Sequence, residues 1–164
     1  MASGNTLFSL TPQASQPPAS GYCQQDTRNS ISVLAYDAST AEYAVFVTVI
    51  PAFYSGGGLT FDIYWMAATA TSGGVVWGIS VERDNDANHD LDSDAFATEQ
   101  TASGTANGTS GKLTKTTVTV SSGANMDSAA AGDPIRIKVR RLPSDVLDTM
   151  AGDAQIEAIH CKET

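Results

Sequence analysis

From Asn29 onward, apolar and polar residues alternate in short runs separated by turn residues. Leu59, Phe61, Ile63 and Trp65 alternate with Thr60, Asp62, Tyr64 and Met66. Val75, Trp77, Ile79 and Val81 alternate with Val76, Gly78, Ser80 and Glu82, and Ile135, Ile137 and Val139 with Arg136, Lys138 and Arg140. A period of two sends successive side chains to opposite faces of a strand. Tyr43 to Ile50 is apolar at both parities, which predicts a strand buried on both faces. Ile31–Tyr36, Phe96–Thr101, Leu113–Ser121 and Ala154–Cys161 complete a set of eight strands. Pro51, Ser55-Gly-Gly-Gly58 and Ser72-Gly-Gly74 are turn signals. Residues 102–111 read as a loop, and short helical turns are expected within 124–130 and 143–150.

Eight short strands without a long amphipathic helix predict an all-β antiparallel sandwich. A double Greek key jelly roll fits best. An immunoglobulin-like sandwich is the runner-up, but the Cys…Trp…Cys spacing is missing. Residues 1–29 differ from the rest, being rich in Ser, Gln and Thr and broken by Pro12, Pro17 and Pro18. They predict an extended N-terminal arm on a sandwich domain of residues 30–164. Such an arm holds one conformation only by lying against its own domain, a sister subunit or another protein. The chain's 164 residues suit one domain with a real core.

Charge narrows the function. The net charge of −9 repels phosphate backbones and anionic lipid heads, so nucleic-acid and membrane-surface binding are set aside. Charged residues are only 16% of the chain, below the usual quarter, which suits a surface that packs against copies of itself. Residues 1–10 lack the basic and apolar regions of a signal peptide, and Tyr22 before Cys23 does not match a lipoprotein cleavage site. Cys23 and Cys161 are read either as independent thiols or as a tie between the arm and the last strand.

The densest local cluster is Asp84, Asp86, Asn88, Asp90 and Asp92. Hard cations take six to eight oxygens, and calcium is the cofactor such a run would hold. The loop lacks the Gly and Glu of an EF-hand, where His89 and Ala95 stand. The alternative is a solvated acidic turn whose side chains cap their own backbone. Arg136, Lys138, Arg140 and Arg141 hold four of the nine basic residues. They would receive the acidic loop of a neighbouring subunit, or else form an ordinary solvated strand face. Trp65 and Trp77 lie on alternating apolar faces and read as core. Phe53 and Tyr54, in a Gly-rich loop, are the exposed-contact candidates for a partner or a sugar. No nucleophile or acid stands in a catalytic motif with His89 or His160, so no catalytic residue is assigned and no enzyme is expected.

Residues 65–77, 90–96, 125–133, 135–141 and 148–154 resemble small jelly-roll structural proteins of tailed bacteriophages, over about residues 59 to 164. The resemblance implies a subunit on the outer surface of the capsid, commonly a homotrimer. The leading expectation is a capsid decoration (cement) protein whose arm reaches across the major capsid protein. The alternative is a tail or head-fibre module that binds host surface glycan.

Overall fold

The computed structural model describes residues 4–84 and 89–164. Ten strands carry the fold: β1 (Thr6–Leu10), β2 (Gln24–Arg28), β3 (Ile31–Tyr36), β4 (Tyr43–Val49), β5 (Leu59–Ala67), β6 (Gly74–Arg83), β7 (Gln100–Thr105), β8 (Thr114–Val120), β9 (Pro134–Arg141) and β10 (Ala154–Glu163). Among the described residues the helical pieces are single 3₁₀ turns, Pro12–Ala14 and Ala124–Met126. Residues 143–150 form turns rather than a helix. The strands make two antiparallel sheets. One runs β2-β3-β10-β5-β8, with β1 added beside β10, and the other runs β4-β9-β6-β7. Strands β3 to β10 are the eight expected from the pattern, and their order is that of a jelly roll.

The core lies between the sheets, and strand parity decides who enters it. On β5, Leu59, Phe61, Ile63 and Trp65 point inward and are fully buried. Across the gap, β6 supplies Val75, Trp77, Ile79 and Val81. Trp77 packs edge-on against Tyr36, with centroids 5.1 Å apart, and against Trp65 at 5.9 Å. The Trp65 indole N–H donates to Thr116 Oγ1 at 2.9 Å, so its polar edge is satisfied inside the core. Strand β10 keeps its inward face only because one extra residue breaks its register against β5, between Ile156 and Ala158. That bulge lets Ile156 and Ile159 both point into the core.

The observed strand β7 starts later than expected. Residues 96–99 lead along β6, with the Ala97 N–H donating to the Val81 carbonyl, and the ladder proper begins at Gln100. Residues 102–105, expected in a loop, are therefore strand. Gly104 is paired with Val75, and a Cβ there would stand 2.0 Å from Thr116 Oγ1. Only glycine fits, which is why the stretch does not look like a strand.

The N-terminal segment corrects the expectation of an extended arm. Strand β1 is hydrogen-bonded along the C-terminal half of β10, and β2 pairs with β3. Leu7, Leu10 and Cys23 enter the core. Polar composition hid this because the strands are edge strands with few inward positions. Both cysteines are buried free thiols, and burial pushes the Cys23 thiol up to about 11.

Removing residues 4–28 strips two strands and two core leucines, each worth roughly 1.5–3 kcal/mol of burial. Against a typical total of about 5–15 kcal/mol, the truncated chain is expected to lose its cooperative thermal transition. Circular dichroism melts of the full and truncated chains check this. An unchanged midpoint would show the segment to be dispensable.

Candidate functional site

The outer face of the second sheet carries the most chemistry. Because Ile135, Ile137 and Val139 point inward, β9 turns Arg136, Lys138 and Arg140 outward. On the neighbouring β6, Gly78, Ser80 and Glu82 also face outward. The β6–β9 register sets Glu82 directly opposite Arg136, Ser80 opposite Lys138 and Gly78 opposite Arg140.

That register turns the basic stripe into a set of internal pairs. Arg136 Nη2 reaches both oxygens of Glu82, whose side chain is fully buried. Arg140 makes a two-pronged contact with Glu99, at 2.6 and 2.7 Å, which raises the guanidinium's affinity for its proton. Gly78 makes room for this pair, since a Cβ there would lie 2.6 Å from the Glu99 carboxylate. Lys138 Nζ stands 4.9 Å from the Phe96 ring centroid and 5.9 Å from that of Tyr43. Burial lowers its pKa, partly opposed by Glu99. The stripe thus meets acids and aromatic rings of its own chain, where the sequence reading had a neighbouring subunit's loop.

Arg141 departs further from expectation. Its side chain is fully buried, paired with Asp148 at 2.7 Å, and it donates to the carbonyls of Met150 and Gly152. It braces the connection into β10 and presents nothing to a partner. Tyr54 is also buried, its hydroxyl accepting from the Gly58 N–H and contacting Met126 Sδ, because the Gly-rich loop folds onto the core. Phe53 stays 45% exposed, as expected.

Strand β4 was expected to be buried on both faces. Instead only Ala44, Phe46 and Ile50 just beyond it are buried, while Val47 and Val49 are 54% and 53% exposed. Its open edge is met by the N-terminal segment, through bridges Gln16↔Val45 and Tyr22↔Tyr43. Pro17 and Pro18 lie between these bridges and have no N–H to offer the edge. A groove of about 580 Å³ results. Val45 and Val47 form its floor, Tyr43 and Phe96 contribute rings, and Gln16 with Pro17 and Pro18 form one wall. Arg136 adds a charged group to the lining. A second hollow of about 480 Å³ shares Gln16, Pro17, Pro18 and Tyr43 and adds Tyr22, Gln24 and Gln25. An exposed apolar strand face beside rings and amides is the usual make-up of a small-ligand cleft. Sequence reasoning missed Tyr43, Phe96 and the proline segment. The available signal was β4 itself, apolar at both parities yet followed by no second covering layer.

The acidic loop gathers a different set from the one expected. His89 Nε2 lies 2.9 Å from Asp84 Oδ1, and its Nδ1 lies 2.9 Å from Asp94 Oδ2 and 3.7 Å from Glu82 Oε1. Glu82, His89 and Asp94 offer one ligand atom each within 4.8 Å of one another. Asp90 and Asp92 are exposed, and the Asp90 carboxylate accepts the Asp92 N–H, a local turn cap. Asp86 and Asn88 lie outside the described residues.

No protein-family model matches the sequence, and no curated protein matches it. Solved structures do match. A carbohydrate-binding module, CBM36, in complex with calcium and xylotriose aligns over 94% of this chain and 99% of its own, with a TM-score of 0.53 at 14% identity. The module CBM6cm-2 from Cellvibrio mixtus lichenase 5A, in complex with cellotriose, aligns over 97% and 98%, with a TM-score of 0.51 at 14% identity. The CBM22-2 xylan-binding domain from Paenibacillus barcinonensis Xyn10C aligns over 96% and 99%, with a TM-score of 0.50 at 14% identity. The shared fold is the β-sandwich of these modules. These neighbours stand against the capsid-cement expectation. Of the arm of residues 1–29 expected to reach across shell subunits, Thr6–Leu10 and Gln24–Arg28 pair with strands of this chain and Gln16 and Tyr22 bridge to β4.

Replacing Arg141 by Ala leaves the Asp148 carboxylate buried and unpaired, at an expected cost of about 3–5 kcal/mol. Lys138→Gln removes only cation–ring contacts and is expected to cost under about 2 kcal/mol. Urea unfolding of the two variants checks the order, and equal losses would contradict it.

Proposed function

We propose that this chain is a glycan-binding module that takes a neutral polysaccharide strand in the groove beside β4. The observation that carries the reading is the composition of that groove: an apolar floor, two rings, a proline wall and polar groups. A pyranose ring has an apolar face of C–H groups that stacks on an aromatic ring, whose face is negative. Its hydroxyls need fixed donors and acceptors, and Gln16 and Arg136 of the groove lining can supply them. Three neighbours of the same fold support the reading, since their own structures or names concern xylotriose, cellotriose and xylan. The net charge of −9 disfavours uronate-rich or sulfated chains.

Calcium fits the same reading, because one of those neighbours holds it together with its sugar. The oxygen donors this chain offers calcium are carboxylates of the acidic loop such as Asp90 and Asp92. The resemblance of residues 59–164 to phage structural proteins gives the module a setting, on a tail or head fibre that meets a host-surface glycan.

Tyr43→Ala and Phe96→Ala are each expected to weaken glycan binding about tenfold or more, as loss of a central aromatic contact does. Phe53→Ala, far from the groove lining, should leave it unchanged. A glycan array on the full chain, followed by calorimetry on any hit, checks both statements. No hit, or equal effects of all three variants, would remove the groove from the reading.

A further inference from the structure

We propose that Glu82, His89 and Asp94 form a binding site for a divalent d-block ion of the zinc class, with Asp84 as the residue that orients the imidazole. The inference is independent of glycan binding. Glu82 reaches the site from the end of β6, and His89 and Asp94 reach it from the segment that returns over the outer face.

The distances suit a small ion. Ligand atoms around a tetrahedral ion with bonds of about 2.0–2.2 Å stand roughly 3.3–3.5 Å apart. His89 Nδ1 is 2.9 Å from Asp94 Oδ2 and 3.7 Å from Glu82 Oε1, which brackets that spacing. The imidazole is nine-tenths buried, with 10% of its side chain exposed. Among the described residues neither ring nitrogen has a partner in hydrogen-bonding alignment. Nδ1 faces the Asp94 and Glu82 carboxylates without aligned hydrogen-bond geometry to either, which leaves its lone pair free for a shared ion.

The far side of the ring supplies what a metal-bound histidine needs. Its Nε2 lies 2.9 Å from Asp84 Oδ1, so a small turn of the ring on taking up an ion would let it give that N–H to the carboxylate, as metal-bound imidazoles characteristically do. Charge agrees as well. Glu82, Asp84 and Asp94 with Arg136 leave a net charge of about −2 around a neutral imidazole, which a dication balances. The imidazole nitrogen selects the metal class, since calcium takes oxygen donors whereas zinc takes histidine and carboxylate together. Glu82 is fully buried and Asp94 is 39% exposed, so the site is closed toward the sheet and open to solvent on one side. An ion there would tie the returning segment, and with it Phe96, to the end of β6.

The test uses the full chain, apo after chelation, with zinc competed against a chromogenic chelator and cobalt(II) as the spectroscopic probe. One equivalent of zinc is expected, and bound cobalt should show the visible absorption of a low-coordinate site. His89→Ala and Asp94→Asn should each lower zinc affinity by at least about tenfold, and Asp92→Asn, an exposed acid of the same loop, should not. Circular dichroism confirms that the variants fold, and if His89→Ala does not, Asp94→Asn at a half-exposed position carries the comparison. Zinc binding that survives both substitutions, an equal loss with Asp92→Asn, or calcium bound in preference to zinc would each overturn the site. Glycan binding is measured separately on the same variants, so failure of one reading leaves the other standing.

Discussion

The register between β6 and β9 is the constraint on which the functional face depends. It is held from the inside, where Trp77, Ile79 and Val81 pack with Ile137 and Val139 in the core. A slip of one residue would exchange every inward and outward side chain on a strand. With the register fixed, Glu82 must face Arg136, and Arg140 must face Gly78, an outward position with no side chain. The pairs on the outer face are therefore consequences of the packing beneath them. They contribute position more than net stability, because desolvating such charges offsets much of their attraction.

The same logic explains why the outer face is open at one end and covered at the other. Over β6, the returning segment with Glu99 and Phe96 buries the outward residues. Among the described residues no second layer covers β4, and the N-terminal segment bridges to its edge at Gln16 and Tyr22. Pro17 and Pro18 keep that edge from being continued as a strand. An uncovered apolar floor between two walls is the result, and it is what makes a groove rather than a flat sheet.

The acidic loop shows why a run of carboxylates is a poor guide to ligands. Carboxylates spaced along a chain satisfy one another's backbone donors, as Asp90 does for Asp92. The ligand set instead draws one member from a strand, Glu82, and a histidine whose ring is buried by the fold. Arg136 pairs with Glu82 of this set and also lines the groove, so charge at the loop and shape at the groove share one side chain.

What the sequence by itself determined was parity. Period-two alternation in β5, β6 and β9 marked Trp65, Trp77 and Ile137 as core and Arg136, Lys138 and Arg140 as outward, and turn residues separated the eight strands of a jelly roll. These are local properties, fixed by the geometry of an extended chain. The tertiary structure decided everything that depends on which strands become neighbours. It placed residues 6–10 and 24–28 as edge strands, sank Tyr54 and Arg141, and left Val47 and Val49 in the open. It also brought Glu82, His89 and Asp94 together and set Tyr43 and Phe96 on either side of Lys138. Strand partners far apart in sequence are chosen by the packing of the whole core, and no local pattern contains that choice.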